Sequence, residues 1–324
     1  MITLYDTACG SENLGDEIIM DAVVSELNSL FPNTIKRRFP THYPLSHATK
    51  KKAWANDLAF VGGTNLLRNY WRNRARKNQW ALPMLDAWRM TPAVLMGVGW
   101  NTYAPTPEFK ARVFYRNALS KKWLHSVRDA YTVEKLNQCG VSNVINTGCP
   151  TLWGLSSVLL SEIPNKKMDK VVFTITDYRR DEEQDLFLLR YLLEHYEEVH
   201  FWPQGSGDLD YFKSLLSDYP ECSKQINILG MDLSSFNNLL QFQSVDYIGT
   251  RLHAGVRALQ NKRRAMIISV DNRAEEMRKD FNLPVISRSE IDMSVSKLDD
   301  FDFSGICLPR EEINQWKQQF LEYK

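Results

Sequence analysis

The sequence predicts an α/β fold, two Rossmann-like domains in tandem with mostly parallel sheets, and three observations predict it. Short β-prone runs alternate with amphipathic helical stretches over nearly all of the 324 residues, the pattern of parallel sheets covered by helices. Most of the strand-like runs end in a glycine-rich or polar turn, as strands feeding crossover helices do. The alternation breaks once, from Ser156 to Lys170, where Pro164, Asn165, Lys166 and Lys167 follow no clear period. The length suits two ordinary domains and the 44% hydrophobic content suits two cores. Domains are therefore expected at 1–157 and 168–305, with 306–324 as a C-terminal helix.

In the first domain, Ile2 to Asp6 reads as a strand and Ile18 to Leu30 as an apolar-periodic helix. The loop between them holds Gly10 and Gly15. It has neither Gly-x-Gly-x-x-Gly nor a Gly-Lys-Ser/Thr ending, which argues against a dinucleotide or P-loop site. Asp16 and Glu17 put two carboxylates at the helix start. They either complement the helix dipole, worth about 0.3–1 kcal/mol, or offer Asp16 to a ligand. Further strands are expected at Thr34 to Phe39, Asp57 to Val61, Ala93 to Val98, Leu124 to Val127 and Val144 to Asn146. The turns after them are Gly62-Gly63-Thr64-Asn65, Gly97-Val98-Gly99-Trp100-Asn101, Arg128-Asp129 and Thr147-Gly148-Cys149-Pro150. Turns after parallel strands share one sheet edge, so these residues converge there unless the glycines serve only tight turning.

Arg68, Arg72, Arg74, Arg76 and Lys77 interleave with Tyr70 and Trp71 in the densest basic stretch of the chain. The two readings are a solvated helix face and a peripheral contact for an anionic, lipid-linked acceptor at a membrane surface.

The second domain opens with a strand at Lys170 to Thr176 and a helix at Glu182 to His195. Val199 to Trp202 follows as a strand ending in Pro203-Gln204-Gly205, then a helix at Asp208 to Leu216. A strand at Ile226 to Leu229 and a helix at Leu233 to Phe242 lead to a compact βαβ unit. That unit is Val245 to Ile248, a break at Gly249-Thr250, a helix at Arg251 to Gln260 with Leu252, Val256 and Leu259 on one face, and a strand at Ala265 to Val270. Arg273 to Phe281 and Pro284 to Ile286 add one repeat. Glu311 to Tyr323 is a final amphipathic helix carrying Ile313, Trp316, Phe320 and Leu321.

Arg251 and His253 fall in the first turn of the helix inside that βαβ unit, at the carboxyl end of a strand. Backbone N–H groups and the helix dipole favour anions there. An arginine adds a planar fork matched to carboxylate or phosphate, and a histidine adds a group that transfers a proton near neutral pH. Arg-x-His taken alone divides evenly between such a site and a capping or packing pair.

Composition narrows the partners. Forty basic against 39 acidic residues leave a net charge of +1, which gives no whole-protein case for nucleic acid. Cys9, Cys139, Cys149, Cys222 and Cys307 are widely spaced and odd in number, without zinc spacing, and are expected to be reduced thiols with no metal. The amino terminus lacks a basic region before a long apolar core, and no window approaches about 18 uninterrupted apolar residues, so a cytoplasmic chain, peripheral at most on the inner face of the membrane, is expected.

Taken together, Asn13-x-Gly15-Asp16-Glu17, Gly62-Gly63-Thr64-Asn65-Leu66, Ser126-Val127-Arg128-Asp129, Thr147-Gly148-Cys149-Pro150-Thr151-Leu152 and Gly249-Thr250-Arg251-Leu252-His253 occur in the order seen in the polysaccharide pyruvyl transferase family. The chain resembles that family from about Asp6 to Asp271. The resemblance implies a GT-B-like fold, with two Rossmann-like domains facing across a cleft and the carboxy-terminal helix returning to the first. It implies phosphoenolpyruvate as donor and co-substrate, with no resident cofactor, and a pyruvate ketal on a sugar of a surface polysaccharide or glycan as product. It places phosphoenolpyruvate on Arg251, Leu252, His253 and Arg128, with the second domain on the donor side and the first on the acceptor side. Asn13, Gly63, Thr64, Asn65 and Gln204 complete the expected substrate-binding set. Where many relatives read Thr-Gly-Asp-Pro, this chain has Cys149, so a role for that acid does not carry over.

Ketal formation requires protonation at C3 of the donor, attack at C2 by two sugar hydroxyls in turn, and loss of phosphate. Bidentate guanidinium contacts suit the donor's anionic groups, His253 is the best acid by type, and Asp16 is the candidate base. Two other classes share the fold. A glycosyltransferase using a nucleotide sugar would draw on Gln204 and Asp208 for a nucleobase and ribose pocket. A non-catalytic glycan-binding relative would need no convergent Arg/Arg/His set.

Overall fold

A computed structural model describes residues 1–69, 80, 82–217, 219–291 and 300–321. Tyr70, Trp71, Arg72, Arg74, Arg76 and Lys77 lie outside the described residues. The chain divides into two compact units, one of Met1–Ser11, Ile19–Trp153 and Leu308–Lys324, the other of Glu12–Ile18 and Gly154–Cys307.

The first unit is built on strands β1 (Ile2–Asp6), β2 (Lys36–Pro40), β3 (Leu58–Gly62) and β4 (Ala93–Met96), all parallel, in the order β2-β1-β3-β4. Every residue of β1, β3 and β4 is buried, as strands covered on both faces must be. A separate parallel pair, β5 (His125–Val127) and β6 (Val144–Asn146), is tied to the segment just beyond β4. The Gly97 N–H donates to the Ser126 carbonyl at 3.0 Å, and Val98 bridges Val127. The helix after β1 runs Leu14–Leu30, four residues earlier than periodicity suggests. Asn13 explains the early start: its side-chain oxygen accepts the Gly15 N–H at 3.1 Å and its carbonyl the Asp16 N–H at 3.0 Å. The last helix, Arg310–Gln318, belongs to this unit. Fully buried Trp316 and, just beyond the helix, Phe320 pack edge-on against Phe60 of β3, at 6.1 and 5.3 Å between ring centroids.

The second unit holds a six-stranded parallel sheet: β7 (Lys170–Thr174), β8 (Glu198–Phe201), β9 (Ile226–Ile228), β10 (Val245–Gly249), β11 (Ala265–Ser269) and β12 (Val285–Ser287). Their order is β12-β11-β10-β7-β8-β9. The chain winds outward from β7 through β8 and β9, then returns to the other side of β7 and winds outward again. The reversal between β7 and β10 opens a crevice at the carboxyl ends of the strands, the position where such sheets bind ligands. Gly249 lets those two strands end side by side, since a Cβ there would stand 2.4 to 2.7 Å from Thr174 Oγ1 and the Thr174 backbone. Two boundaries differ from the expected ones. The stretch read as linker contains a short helix, Ser157–Ser161, because the Ser156 hydroxyl accepts the Leu159 N–H. Residues 12–18, expected in the first domain, group with the second unit. There Asn13 bridges Gly205, and the Leu14 N–H donates to the Gln204 carbonyl at 3.0 Å.

Candidate active site

At the crevice of the second unit, the ends of β7, β8, β10 and β11 bring their following turns together. They line a small open recess with Asn13, Gln204, Arg251, His253, Asp271 and Arg273 on its walls. The helix Leu252–Gln260 starts at its edge, with Leu252 and His253 in the first turn, so the positive end of the helix dipole faces the recess. Arg251 is the residue before that helix; its guanidinium has no acceptor with which to cap it and is engaged elsewhere.

The engagement is with Asp208. Arg251 Nε donates to Asp208 Oδ2 at 3.1 Å and Nη2 donates to Oδ1, a two-pronged contact in which both residues are buried. Nη2 also reaches Asp177 Oδ1 at 3.3 Å. The backbone holds the arginine from below: its N–H donates to Thr174 Oγ1 at 3.1 Å, and its carbonyl accepts the Tyr247 hydroxyl at 2.8 Å. Asp208 is anchored in turn by the N–H groups of Gln204, Gly205 and Asp177, at 3.1, 2.8 and 3.1 Å. Burial pushes the Asp208 carboxyl upward, while the charge of Arg251 and these donors oppose the shift. Asp208 was open to a nucleobase or ribose role on sequence grounds. Its oxygens are instead taken up by Arg251 and the backbone.

A second guanidinium shares the recess. Arg273 Nε contacts Asp271 Oδ1 and Oδ2 at 3.0 and 2.8 Å, and Asp271 caps the helix Asn272–Phe281 by accepting the Arg273 N–H at 2.9 Å. Burial opposes the charge of Arg273, but Asp271, Tyr178 and, at longer range, Asp16 more than restore it, so the protonated form is strongly favoured. Tyr178 lies between the two arginines, with guanidinium carbons 5.1 Å (Arg251) and 6.0 Å (Arg273) from its ring centroid. Asp16 is buried in the first turn of the helix Leu14–Leu30.

Asn13, Gln204, Arg251, Leu252 and His253 thus meet at one recess, and the charge of Asp16 bears on the same place. The other expected residues belong to the first unit. Arg128 is buried at the end of β5, its Nε 3.1 Å from Asp129 Oδ2, in space that exists because Gly99 has no Cβ. Gly63 and Thr64 both have left-handed backbone, with φ of 51° and 55°. A Cβ at Gly63 would fall 1.9 Å from Ile19 Cγ2, while β-branched Thr64 is held in a conformation it rarely adopts. Asn65 follows, largely buried. Cys149 is buried, and burial pushes its thiol up, with the charge of Arg128 opposing. Arg68 is anchored at its backbone, its N–H donating to the Tyr115 hydroxyl at 2.7 Å.

Sequence reasoning missed Arg273, Asp271, Tyr178 and Asp177. Asp271-Asn272-Arg273 follows a strand as Arg251-Leu252-His253 does, and that parallel position was a signal for the first two. Tyr178 and Asp177 lie on a single turn with no periodicity to mark them.

Residues 13–272 match the model of a family described as polysaccharide pyruvyl transferase. No curated protein sequence matches. Among solved structures, a Methanocaldococcus jannaschii UDP-GlcNAc 2-epimerase in complex with UDP-GlcNAc and UDP is similar at 12% identity, with 98% of this chain and 99% of that one covered and a TM-score of 0.55. An E. coli heptosyltransferase, WaaC, with ADP-2-deoxy-2-fluoro heptose shares 13% identity over 88% of this chain and 92% of its own, at a TM-score of 0.41. The architecture is GT-B-like, α/β with parallel sheets. Among the described residues no helix is long and apolar enough to cross a membrane.

Proposed function

This chain belongs to the polysaccharide pyruvyl transferase family, and from that premise we propose that it moves the pyruvyl group of phosphoenolpyruvate onto two hydroxyls of a glycan sugar as a ketal. The observation that carries the reading is the meeting of Arg251, Arg273 and His253 at the crevice between β7 and β10. Two guanidiniums and a helix amino terminus suit a small molecule with separate carboxylate and phosphate groups. His253 beside them supplies the proton that C3 needs.

In this reading two C–O bonds form at C2 of the donor and its C–O bond to phosphate breaks. The proton of one sugar hydroxyl ends on C3, by way of His253, and that of the other leaves with phosphate. Asp16 is the base that draws a proton from an attacking hydroxyl. Arg128, Gly63, Thr64 and Asn65 are further substrate-binding residues, and a lipid-linked saccharide at the inner face of the membrane is the acceptor. Phosphoenolpyruvate enters as co-substrate, with no resident cofactor or metal.

The test is calorimetric titration with phosphoenolpyruvate beside a panel of nucleotide sugars, followed by mass spectrometry of candidate acceptors. Phosphoenolpyruvate binding and an acceptor mass gain equal to pyruvate less one water are expected. Tight binding of a nucleotide sugar with no phosphoenolpyruvate binding would replace this reading with a glycosyltransferase.

A further inference from the structure

Gln204 sits in the turn after β8 with its backbone fixed on both sides. Its N–H donates to Asp208 Oδ2 at 3.1 Å, and its carbonyl accepts the Leu14 N–H at 3.0 Å. The direction of its side-chain amide follows from its neighbours. The Gly15 N–H donates to the Asn13 side chain at 3.1 Å, so the Asn13 atom facing it is the oxygen. That same oxygen lies 2.7 Å from the Gln204 amide, which must therefore present its NH2 group. Gly15 makes room for this arrangement, since a Cβ there would stand 2.7 Å from Gln204 Nε2.

With the NH2 committed to Asn13, Gln204 Oε1 points the other way. It is buried, the residue being 3% exposed, and has no hydrogen-bond partner. Buried acceptors in that state are uncommon and costly. Gln204 lines the recess that holds Arg251, His253 and Arg273.

The donor proposed above cannot satisfy this oxygen. At neutral pH its carboxylate and phosphate present acceptor oxygens, and two acceptors facing each other repel. A sugar hydroxyl has the O–H that is required. Resting on the pyruvyl-transfer reading, we propose that Gln204 is a specificity-determining residue whose Oε1 accepts a hydrogen bond from a hydroxyl of the glycan acceptor. The acceptor sugar is then seated in the same recess as the anion, on the second unit. The Asn13 side chain and Gly15 position the amide and do not themselves contact sugar through that bond.

The experiment uses the full chain, and as probes phosphoenolpyruvate and the methyl glycosides of galactose, glucose, mannose and N-acetylglucosamine. Phosphoenolpyruvate affinity is measured by calorimetry and glycoside binding by saturation-transfer NMR, in wild type, Gln204→Met and Gly15→Ala. Gln204→Met keeps the length of the side chain without its polar atoms, and Gly15→Ala keeps the amide but displaces it. Thermal unfolding establishes that each variant is folded. The expected result is that both variants keep phosphoenolpyruvate affinity within about twofold and lose at least about tenfold in glycoside affinity, as a site built to hydrogen-bond a hydroxyl does when the bond is removed. Equal loss of phosphoenolpyruvate affinity overturns the inference, and so does unchanged glycoside binding or the failure of wild type to bind any glycoside. If wild type binds a glycoside but no phosphoenolpyruvate, the pyruvyl reading fails while the variants still decide the role of Gln204.

Discussion

Arg251 and Asp208 form a buried two-pronged pair, with Nε and Nη2 of the guanidinium directed at the two oxygens of one carboxylate. The pair fixes the plane of the guanidinium and leaves its remaining edge to be aimed by the fold. An ammonium cannot hold two oxygens in that way. Arg251→Lys should therefore weaken phosphoenolpyruvate binding by about 10- to 150-fold, the equivalent of about 1.5–3 kcal/mol for a lost charge-assisted hydrogen bond. Asp208→Asn should weaken it comparably, and the double variant should be little worse than either single one, because both changes break one unit. Additive losses in calorimetry would show that the two residues act separately.

Asp177 touches the same guanidinium on different terms. Its contact with Nη2 is 3.3 Å and its side chain is about a third exposed, whereas Asp208 is fully buried and anchored by three backbone N–H groups. A donor carboxylate or phosphate would compete with Asp177 and leave Asp208 in place. Removing the competing charge should help the donor. Asp177→Asn is expected to tighten phosphoenolpyruvate binding about fivefold, the size of one charge pair at about 4 Å in water-like surroundings. Weaker binding in this variant would mean that Asp177 holds Arg251 in its working orientation.

Much of this site was legible in the sequence because it lies in turns after strands, where Gly249-Thr250 breaks a β-prone run and Leu252, Val256 and Leu259 set a helical period. Arg251 and His253 could be placed on a helix start from that alone. The sequence could not say that Asp208, 43 residues earlier, would occupy Arg251. That pairing depends on β10 and β8 lying on either side of β7, which is a property of strand order. Asn13 looked like part of the first domain, and its contacts with the turn after β8, the Asn13–Gly205 bridge and the hydrogen bond from the Gln204 amide, assign it to the second unit. Short turns such as Asp177–Arg179 carry no period at all.

His253 occupies the first turn of its helix on the wall of the recess beside Arg251. His253→Gln keeps the approximate size and a hydrogen-bond donor but cannot transfer a proton at neutral pH. Donor affinity should be retained while turnover falls about 10²-fold or more, the loss expected when a general acid is removed. Normal turnover would reduce His253 to a packing residue. Loss of donor binding would move it into the anion site and leave the acid to be found elsewhere.

His125, at the start of β5, gives the fold a pH limit independent of catalysis. It is fully buried, accepts the Leu95 N–H at Nδ1 (3.1 Å) and donates from Nε2 to the Ser120 carbonyl (2.9 Å), an arrangement that requires the neutral ring. Burial lowers its pKa from 6.5 to about 4, with the Ser120 contact opposing. The folded state therefore resists a proton that the unfolded chain accepts near pH 6.5. Stability from this group is complete above that pH and is lost as pH falls toward 4, by about 3 kcal/mol at roughly 1.4 kcal/mol per unit. His125→Gln keeps one donor and one acceptor without titrating, so its denaturation midpoint should fall less than that of wild type between pH 7 and pH 4. Carboxylates elsewhere contribute equally to both proteins, which leaves the difference between the two curves to His125. Parallel curves would show that protonation of this ring is not what limits the fold in acid.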